Sequence, residues 1–228
     1  MSTTTETPRI HPGQTVENPV TGERFTFTAT AASTHGELLA FDFALKPGGA
    51  VPMPHVHPDQ SERFEVVAGE MRFRVGLRTI VAGPGDVLLV EPGVAHSFAN
   101  AGPDEARLRV EVRPALAMEE MFADVIELAE AGRMNSRGMP RNLLDLALLA
   151  RTYDREAHAP LLGRRLQRVL LAPLVALARR RSLAFGVLSA APARTRRKQR
   201  IRRWERPRLA VRAGAAGPCE VPSPVEED

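Results

Sequence analysis

Two short blocks between positions 49 and 100 combine metal-ligand residue types with strand-like alternation and glycine turns, a pattern that few folds accommodate. The first block reads Gly49-x5-His55-x-His57-x4-Glu62-x6-Gly69. Fifteen residues separate it from the second block, which reads Gly85-x5-Glu91-Pro92-Gly93-x2-His96-x3-Asn100. Three of the six histidines in the chain lie in these blocks. The pattern therefore predicts β-strands that carry a cluster of metal ligands.

The direction of side chains along a strand explains how these ligands can meet. Residues two apart on a strand point to the same face, so His55 and His57 project together. Glu62 has the opposite parity, but residues 58–60 (Pro-Asp-Gln) are of the types that bend or bulge a strand. His96 comes from a separate strand, after a Pro-Gly turn. We expect the three imidazoles and the carboxylate to converge in the mouth of a small barrel.

The two blocks resemble the paired motifs of the cupin superfamily. The first matches the family pattern G-x5-H-x-H-x3,4-E-x6-G at every fixed position. The second matches G-x5-P-x-G-x2-H-x3-N, except that Glu91 stands in place of the first proline. The resemblance implies a small jelly-roll barrel and assigns the metal ligands to His55, His57, Glu62 and His96. It does not specify a reaction, because this fold hosts many unrelated activities.

Alternating apolar residues predict strands throughout residues 21–115, which we interpret as the barrel. Residues 105–113 alternate strictly, and the predicted inner face consists of Ala106, Leu108, Val110 and Val112. Shorter stretches of strand-like sequence lie at residues 25–27, 41–45, 80–82 and 87–90. Many short strands with one apolar face and Gly/Pro turns are typical of a jelly roll, so the fold class is mainly β. Residues 1–20 have no apolar run of the kind found in signal peptides and are predicted to be a flexible N-terminus.

A helical period replaces the strand period after Pro114 and predicts an α-helical extension over residues 116–181. The first helix begins near Met118 and ends before Gly132, a natural residue at a helix C-terminus. The second is expected from Asn142 to about Glu156, and the third from Leu161 to about Arg181. The third helix has one apolar face, which we expect to pack on the other helices, the barrel or a second subunit: Leu162, Leu166, Val169, Leu170, Leu174 and Leu177.

Residues 182–228 change in character and carry the whole basic excess of the chain. They hold ten Lys/Arg and five Asp/Glu, a net charge of +5, whereas residues 1–181 hold 21 and 22. Arginine runs rich in Ala, Pro and Gly, with one aromatic residue, predict a disordered basic tail and no specific nucleic-acid partner. The longest apolar run is too short to span a bilayer. The single cysteine, Cys219, fits a cytoplasmic protein, and the resemblance to cupins implies a homodimer.

Three imidazoles and one carboxylate suit one divalent transition ion: Fe, Mn, Ni, Cu or Zn. A six-coordinate ion would keep two positions open for substrate or dioxygen, and Glu62 is then also our candidate catalytic residue. Tetrahedral zinc would instead be saturated by four protein ligands and would be structural. The identity of the ion therefore separates a catalyst from a scaffold.

Candidate pocket residues around this centre are mainly apolar and indicate a small organic ligand of aromatic or enol type. They are Met53, Gln60, Phe64, Met71, Phe73 and Phe98. Plain barrel core is the alternative interpretation of the apolar members. We expect a mononuclear metal-dependent oxidoreductase that resembles a dioxygenase. The alternatives are a metal-dependent isomerase or cyclase, and a non-catalytic cupin that binds a small ligand or a structural metal. The remaining histidines, at positions 11, 35 and 158, are interpreted as surface residues.

Overall fold

A computed structural model describes residues 9–51 and 53–185 of the 228-residue chain. Strands occupy the first half of this part and helices the second half. The strands are β1 Thr15–Glu17, β2 Arg24–Ala29, β3 Leu39–Leu45, β4 Ser61–Ala68, β5 Met71–Val75, β6 Arg78–Ala82, β7 Val87–Val90, β8 His96–Asn100 and β9 Ala106–Arg113. The helices are α1 Met118–Glu130, α2 Leu143–Thr152 and α3 Arg164–Phe185. The predicted order of a β-barrel followed by helices is confirmed.

Two antiparallel sheets enclose the core of the barrel. One has the strand order β1-β2-β3-β9-β4-β7 and the other has the order β6-β5-β8. In the larger sheet β9 lies between β3 and β4, with Phe43 opposite Leu108 and Phe64 opposite Val110. The predicted inner face of β9 is confirmed, because its four apolar residues are each at most 1% exposed. Strict alternation therefore identified which face of this strand is buried.

Aromatic side chains fill the space between the sheets. Phe64 lies 5.2 Å from Phe73 and 5.1 Å from Phe98 between ring centroids, in tilted or edge-to-face pairs. At the other end of the barrel Phe25 and Phe41 contact Phe122 of α1, at 4.9 and 5.5 Å. Burial of each phenylalanine stabilises the fold by about 1.5–3 kcal/mol. Because α1 contributes to this cluster, the first helix packs directly on the barrel.

The hairpin between β4 and β5 depends on Gly69, the last fixed residue of the first motif. Its φ angle is +77°, which lies in the left-handed region that residues with a Cβ rarely adopt. A Cβ at this position would also lie 2.7 Å from the Cα of Ala106 on β9. Both the turn and the close approach of two backbones therefore require glycine here.

The helices differ from the predictions in length and in the face that α3 buries. Asn142 caps α2, since its side chain accepts a hydrogen bond from the Leu144 N–H, but α2 ends four residues before Glu156. The apolar face predicted to pack on protein is mostly exposed: Leu166 is 51%, Val169 70%, Leu170 54% and Leu177 43% exposed. The buried residues are instead Gln167, Val175 and Ala178. The helical period was correct, but within the chain α3 packs through a different side, and packing of the predicted face on a second subunit stays a prediction.

The first described residues, 9–17, pack on the barrel and on α1. Ile10 is buried, Arg9 forms an ion pair with Asp124 of α1, and β1 pairs with β2 at the edge of the larger sheet. At the other end α3 continues to Phe185, and the rest of the predicted tail, residues 186–228, lies outside the described residues.

Among the described residues, no helix combines the length and the apolar character that crossing a membrane requires.

Glu119, in the first turn of α1, gives a stability prediction. It is 5% exposed, and burial raises its pKa to about 7, although a hydrogen bond from the Ala31 N–H acts in the opposite direction. The neighbouring Glu120 raises this pKa further. Since the folded pKa lies above the ordinary value of 4.5, the contribution of this carboxyl to stability is complete below pH 4.5 and is lost as the pH rises through about 7.

Glu119→Gln, which cannot ionise, should therefore stabilise the protein at pH 8 by about 1–3 kcal/mol and have little effect at pH 4.5. Denaturant unfolding of the two proteins across this range measures the difference. Glu130→Gln, at an exposed position of the same helix, is the matched control and should show no such trend. A difference that does not change between pH 4.5 and 8 would contradict the assigned cause.

Candidate metal centre

Three structural elements bring the four predicted ligands together. His55 and His57 lie on residues 53–57, an extended segment that runs along the edge of β8. His55 and His96 exchange two backbone hydrogen bonds, of 3.0 and 2.9 Å, and this bridge holds the segment against β8. Glu62 is the second residue of β4 and His96 is the first residue of β8. The centre therefore forms where the two sheets approach each other at one end of the barrel.

The four side chains form one compact cluster. Each offers a ligand atom, and these atoms all lie within 4.8 Å of one another. Glu62 Oε2 lies 3.1 Å from His57 Nε2 and 2.9 Å from His96 Nε2. The ring centroid of His55 is 4.8 Å from that of His57 and 4.4 Å from that of His96. Distances of this size allow all four groups to bind a single ion.

Backbone carbonyl groups orient all three imidazoles. The Nδ1 atom of His55 lies 3.1 Å from the Met53 oxygen, that of His96 lies 3.1 Å from the Val94 oxygen, and that of His57 contacts the Glu156 oxygen. A carbonyl oxygen only accepts, so each Nδ1 must carry the proton. The Nε2 atom of each ring is then the one with a lone pair for a metal. Histidines that bind metals usually donate the other ring N–H in this way. Three such imidazoles and one carboxylate therefore fit a divalent transition ion.

The electrostatics of the cluster reflect its burial. His57, Glu62 and His96 are at most 7% exposed, whereas His55 is half-buried. Burial, together with the neighbouring His57 and His96, lowers the pKa of His55 to about 3. Burial opposes charge on His57 and Glu62 as well, but their mutual attraction prevails: the pKa of His57 is raised and that of Glu62 is lowered. His55 thus remains neutral, and Glu62 remains an ionised carboxylate.

The other fixed positions of the motifs connect the ligands to the barrel. Gly93 donates its N–H to the His57 oxygen at 2.8 Å, which joins the two motifs directly. The turn forms with Glu91 in place of proline, because the Val94 N–H reaches the Glu91 oxygen and Gly93 adopts a φ of +82°. Asn100 donates to the carbonyl oxygens of Leu45 and Asp104. These residues therefore have structural roles around the ligands.

The six candidate pocket residues occupy three different environments. Phe64, Met71 and Phe73 are at most 1% exposed and belong to the barrel core, and Phe98 joins the same cluster. Among them Phe64 is 6.2 Å from His96 between ring centroids. Gln60 is also buried, and its amide donates to the carbonyl oxygens of Pro114 and Ala115. Met53 is 48% exposed, and its carbonyl oxygen contacts His55 Nδ1.

One contact with the candidate centre had no signal in the sequence. The carbonyl oxygen that binds His57 belongs to Glu156, which lies 99 residues away in the helical extension. His158, interpreted from sequence as a surface residue, is half-buried and forms a backbone bridge with Val56. Backbone contacts place no demand on side-chain type, so neither the motifs nor periodicity could reveal them.

Comparisons with known proteins agree with this architecture. Residues 41–113 match the family model of the cupin domain. A germin-like protein of Arabidopsis thaliana, subfamily T member 3, is 34% identical over 86 residues, which cover 35% of this chain and 37% of the relative. The chain thus spans less than two fifths of the length of the curated relatives it matches.

Among solved structures, a predicted oxalate decarboxylase from Thermotoga maritima is similar over 45% of this chain and 92% of that chain, with 20% identity and a TM-score of 0.40. An RmlC-like cupin from Shewanella frigidimarina is similar over 46% and 86%, with 24% identity and a TM-score of 0.39. Both motifs, the two-sheet barrel and the match to the family model identify residues 41–113 as a cupin domain.

Proposed function

We propose that this protein is a mononuclear metal-dependent oxidoreductase of the dioxygenase type that acts on a small organic molecule. The observation that carries the proposal is the cluster of His55, His57, Glu62 and His96, whose ligand atoms lie within 4.8 Å of one another. Bound by these four groups, a redox-active divalent ion such as Fe or Mn would supply electron transfer and Lewis acidity. Four protein ligands leave two positions of a six-coordinate ion for exogenous groups.

Each ligand residue has a separate task in this proposal. The three imidazoles are held in one orientation by backbone carbonyl groups, so they can bind an ion without rearranging. Glu62 is the only anionic group among the four, and its ionised carboxylate would offset part of the charge of the ion. We assign Glu62 a catalytic role as well, because its negative charge beside the ion would also act on the reacting molecule.

Access to the site is proposed to be from the side of His55 and Met53. Met53 is exposed and His55 is half-buried, whereas Glu62 and His96 are buried. Among residues 9–51 and 53–181, no arginine or lysine is buried, which favours a neutral aromatic or enol-type substrate over a phosphorylated one. Phe64 and Phe98 would then form the apolar floor beneath His96, and Gln60, Met71 and Phe73 would support it from within the barrel.

Metal analysis combined with oxygen uptake tests this proposal. The purified chain is offered Fe, Mn, Ni, Cu and Zn separately, and bound metal is measured by elemental analysis. We expect about one ion per chain, and oxygen uptake with at least one member of a panel of phenols and enols when Fe or Mn is bound. Turnover of a substrate without oxygen uptake would favour the isomerase or cyclase alternative.

A non-catalytic cupin is the second candidate, and one observation favours it. Phe64, Met71 and Phe73 are each at most 1% exposed, which is typical of a packed core and leaves little of their surface for a ligand. In this case the four ligands would hold a closed, tetrahedral zinc ion or the barrel would bind a small ligand without reaction. Binding of Zn alone, without oxygen uptake in any metal form, would support this candidate.

A further proposal concerns the compartment and the partners of the protein. We propose a cytoplasmic homodimer without a specific nucleic-acid partner. The exposed apolar side chains of α3, at Leu166, Val169, Leu170 and Leu177, are where a second copy would pack. Large apolar patches on protein surfaces often mark such contacts.

A further inference from the structure

The segment between α2 and α3, residues 153–158, contacts the ligand-bearing residues 55–57 along the edge that faces away from β8. Val56 donates its N–H to the His158 oxygen and accepts from the His158 N–H, both at 3.0 Å. One residue further along, His57 Nδ1–H donates to the Glu156 oxygen. The segment therefore acts on a metal ligand both through the neighbouring backbone and through the imidazole itself. We call residues 153–158 the clasp segment.

Buried charges anchor the clasp segment to the helices. Asp154 is 2% exposed, and its carboxylate forms ion pairs with Arg168 and Arg164 at the start of α3 and with Arg151 of α2. Burial alone would raise the pKa of Asp154, but the hydrogen bond from Arg168 and the surrounding arginines lower it. A buried carboxylate that depends on three guanidinium groups fixes the segment firmly, since removing the partners would leave a charge uncompensated.

Further contacts attach the same segment to the barrel side. Glu156 is 1% exposed, and its carboxylate accepts a hydrogen bond from the Ala117 N–H at the start of α1. Arg155 and Arg164 both pair with Asp59, two residues after His57. The clasp segment is thus connected to α1, to α3 and to the turn between two ligands. The position of the Glu156 carbonyl group next to His57 therefore depends on how the helices pack.

We propose that the clasp segment is a positioning element for the metal centre: the helical extension fixes the orientation of His57 and thereby the affinity for the ion. The inference rests on the metal site of the proposed function and adds a role for residues outside the barrel. Groups that hydrogen-bond to a metal-ligating histidine typically change metal affinity by 10–100-fold when lost. In this chain that group is a backbone carbonyl, so its position depends on the anchors of the segment, above all Asp154.

Asp154→Asn tests the proposal, with Asp145→Asn as matched control. Asp145 is also buried, at 6% exposure, and also forms an ion pair with an arginine, Arg133, within the helical extension. It makes no contact with the clasp segment among the contacts described. Both variants therefore neutralise one buried aspartate of the extension that pairs with arginine, three arginines for Asp154 and one for Asp145. Only Asp154→Asn should loosen the carbonyl group that faces His57.

The readouts are the dissociation constant for Co²⁺, the visible absorption spectrum of the Co²⁺ form and the melting temperature of the metal-free protein. We expect Asp154→Asn to weaken Co²⁺ binding about tenfold and to alter the spectrum, whereas Asp145→Asn leaves both unchanged even where its melting temperature falls equally. If Asp154→Asn does not fold, Arg168→Gln removes one anchor at a half-exposed position and should shift both Co²⁺ readouts in the same direction.

Three negative results are distinguishable. Normal Co²⁺ binding by wild type, with an unchanged spectrum and affinity in the folded clasp variant, would overturn the role of the clasp segment alone. Equal changes in the Asp145→Asn control would also overturn it, because a general loosening of the extension would then suffice. Failure of wild type to bind Co²⁺ would refute the metal centre itself, and the role of the clasp segment with it.

Discussion

Replacing His57 and His96 together by alanine should remove bound transition metal almost completely. Both imidazoles are buried and lie within 3.1 Å of the Glu62 carboxylate, so their loss removes two of the four ligands and the partners of a third. Each single alanine change, including His55→Ala, should weaken binding by more than about a hundredfold, above the range for groups that only support a ligand. Elemental analysis and titration with a competing chelator measure the loss.

The thermal stability of the same variants gives an independent measurement. An ion that binds only the folded state stabilises it by about 4 kcal/mol at a thousand times its dissociation constant. Wild type should therefore melt at a higher temperature with metal than without, and the double variant should not respond. His11→Ala with His35→Ala removes two imidazoles outside the centre and is the matched control. Equal metal content in wild type and the His57/His96 double variant would mean that the motifs no longer bind metal.

Strand periodicity predicted the barrel well because one face of each sheet is buried. On β9 the alternation of Arg and Glu with Ala, Leu and Val leaves only one possible inner face, and Phe64 and Val66 follow the same rule on β4. The ligand cluster followed from parity and from the break after His57. For the barrel, the alternation of apolar and polar residues was enough to predict which side chains point inward.

The helical extension could be predicted only in part. Its three helices have the expected period, but α3 has leucines and valines on more than one side, and the pattern alone does not show which side meets the protein. The structure buries Gln167, whose side-chain oxygen accepts the Ala159 N–H, and exposes Leu170. The side of α3 that faces the protein is thus the one with Gln167, Val175 and Ala178. The contact of Glu156 with His57 was beyond prediction for a similar reason, because a backbone carbonyl has no sequence signature.

Glu62→Gln should separate binding from catalysis. Glutamine has nearly the same shape and still offers an oxygen to His57 and His96, so it keeps the cluster packed while it removes the only anionic ligand. The dissociation constant for the ion should rise by about 10–100-fold, less than for the histidine variants. Oxygen-dependent turnover should fall by at least about a thousandfold even at saturating metal, because the carboxylate charge beside the ion is lost.

The comparison must be made at equal metal occupancy, since otherwise weaker binding alone would imitate a catalytic defect. Glu91→Gln is the matched control: it makes the same chemical change in the second motif, at an exposed position of the turn before His96. It should leave both affinity and turnover close to wild type. Wild-type turnover by metal-saturated Glu62→Gln would refute a catalytic role for Glu62. Metal loss as complete as in the His57/His96 double variant would instead show that the negative charge is the main source of affinity, with the imidazoles in the supporting role.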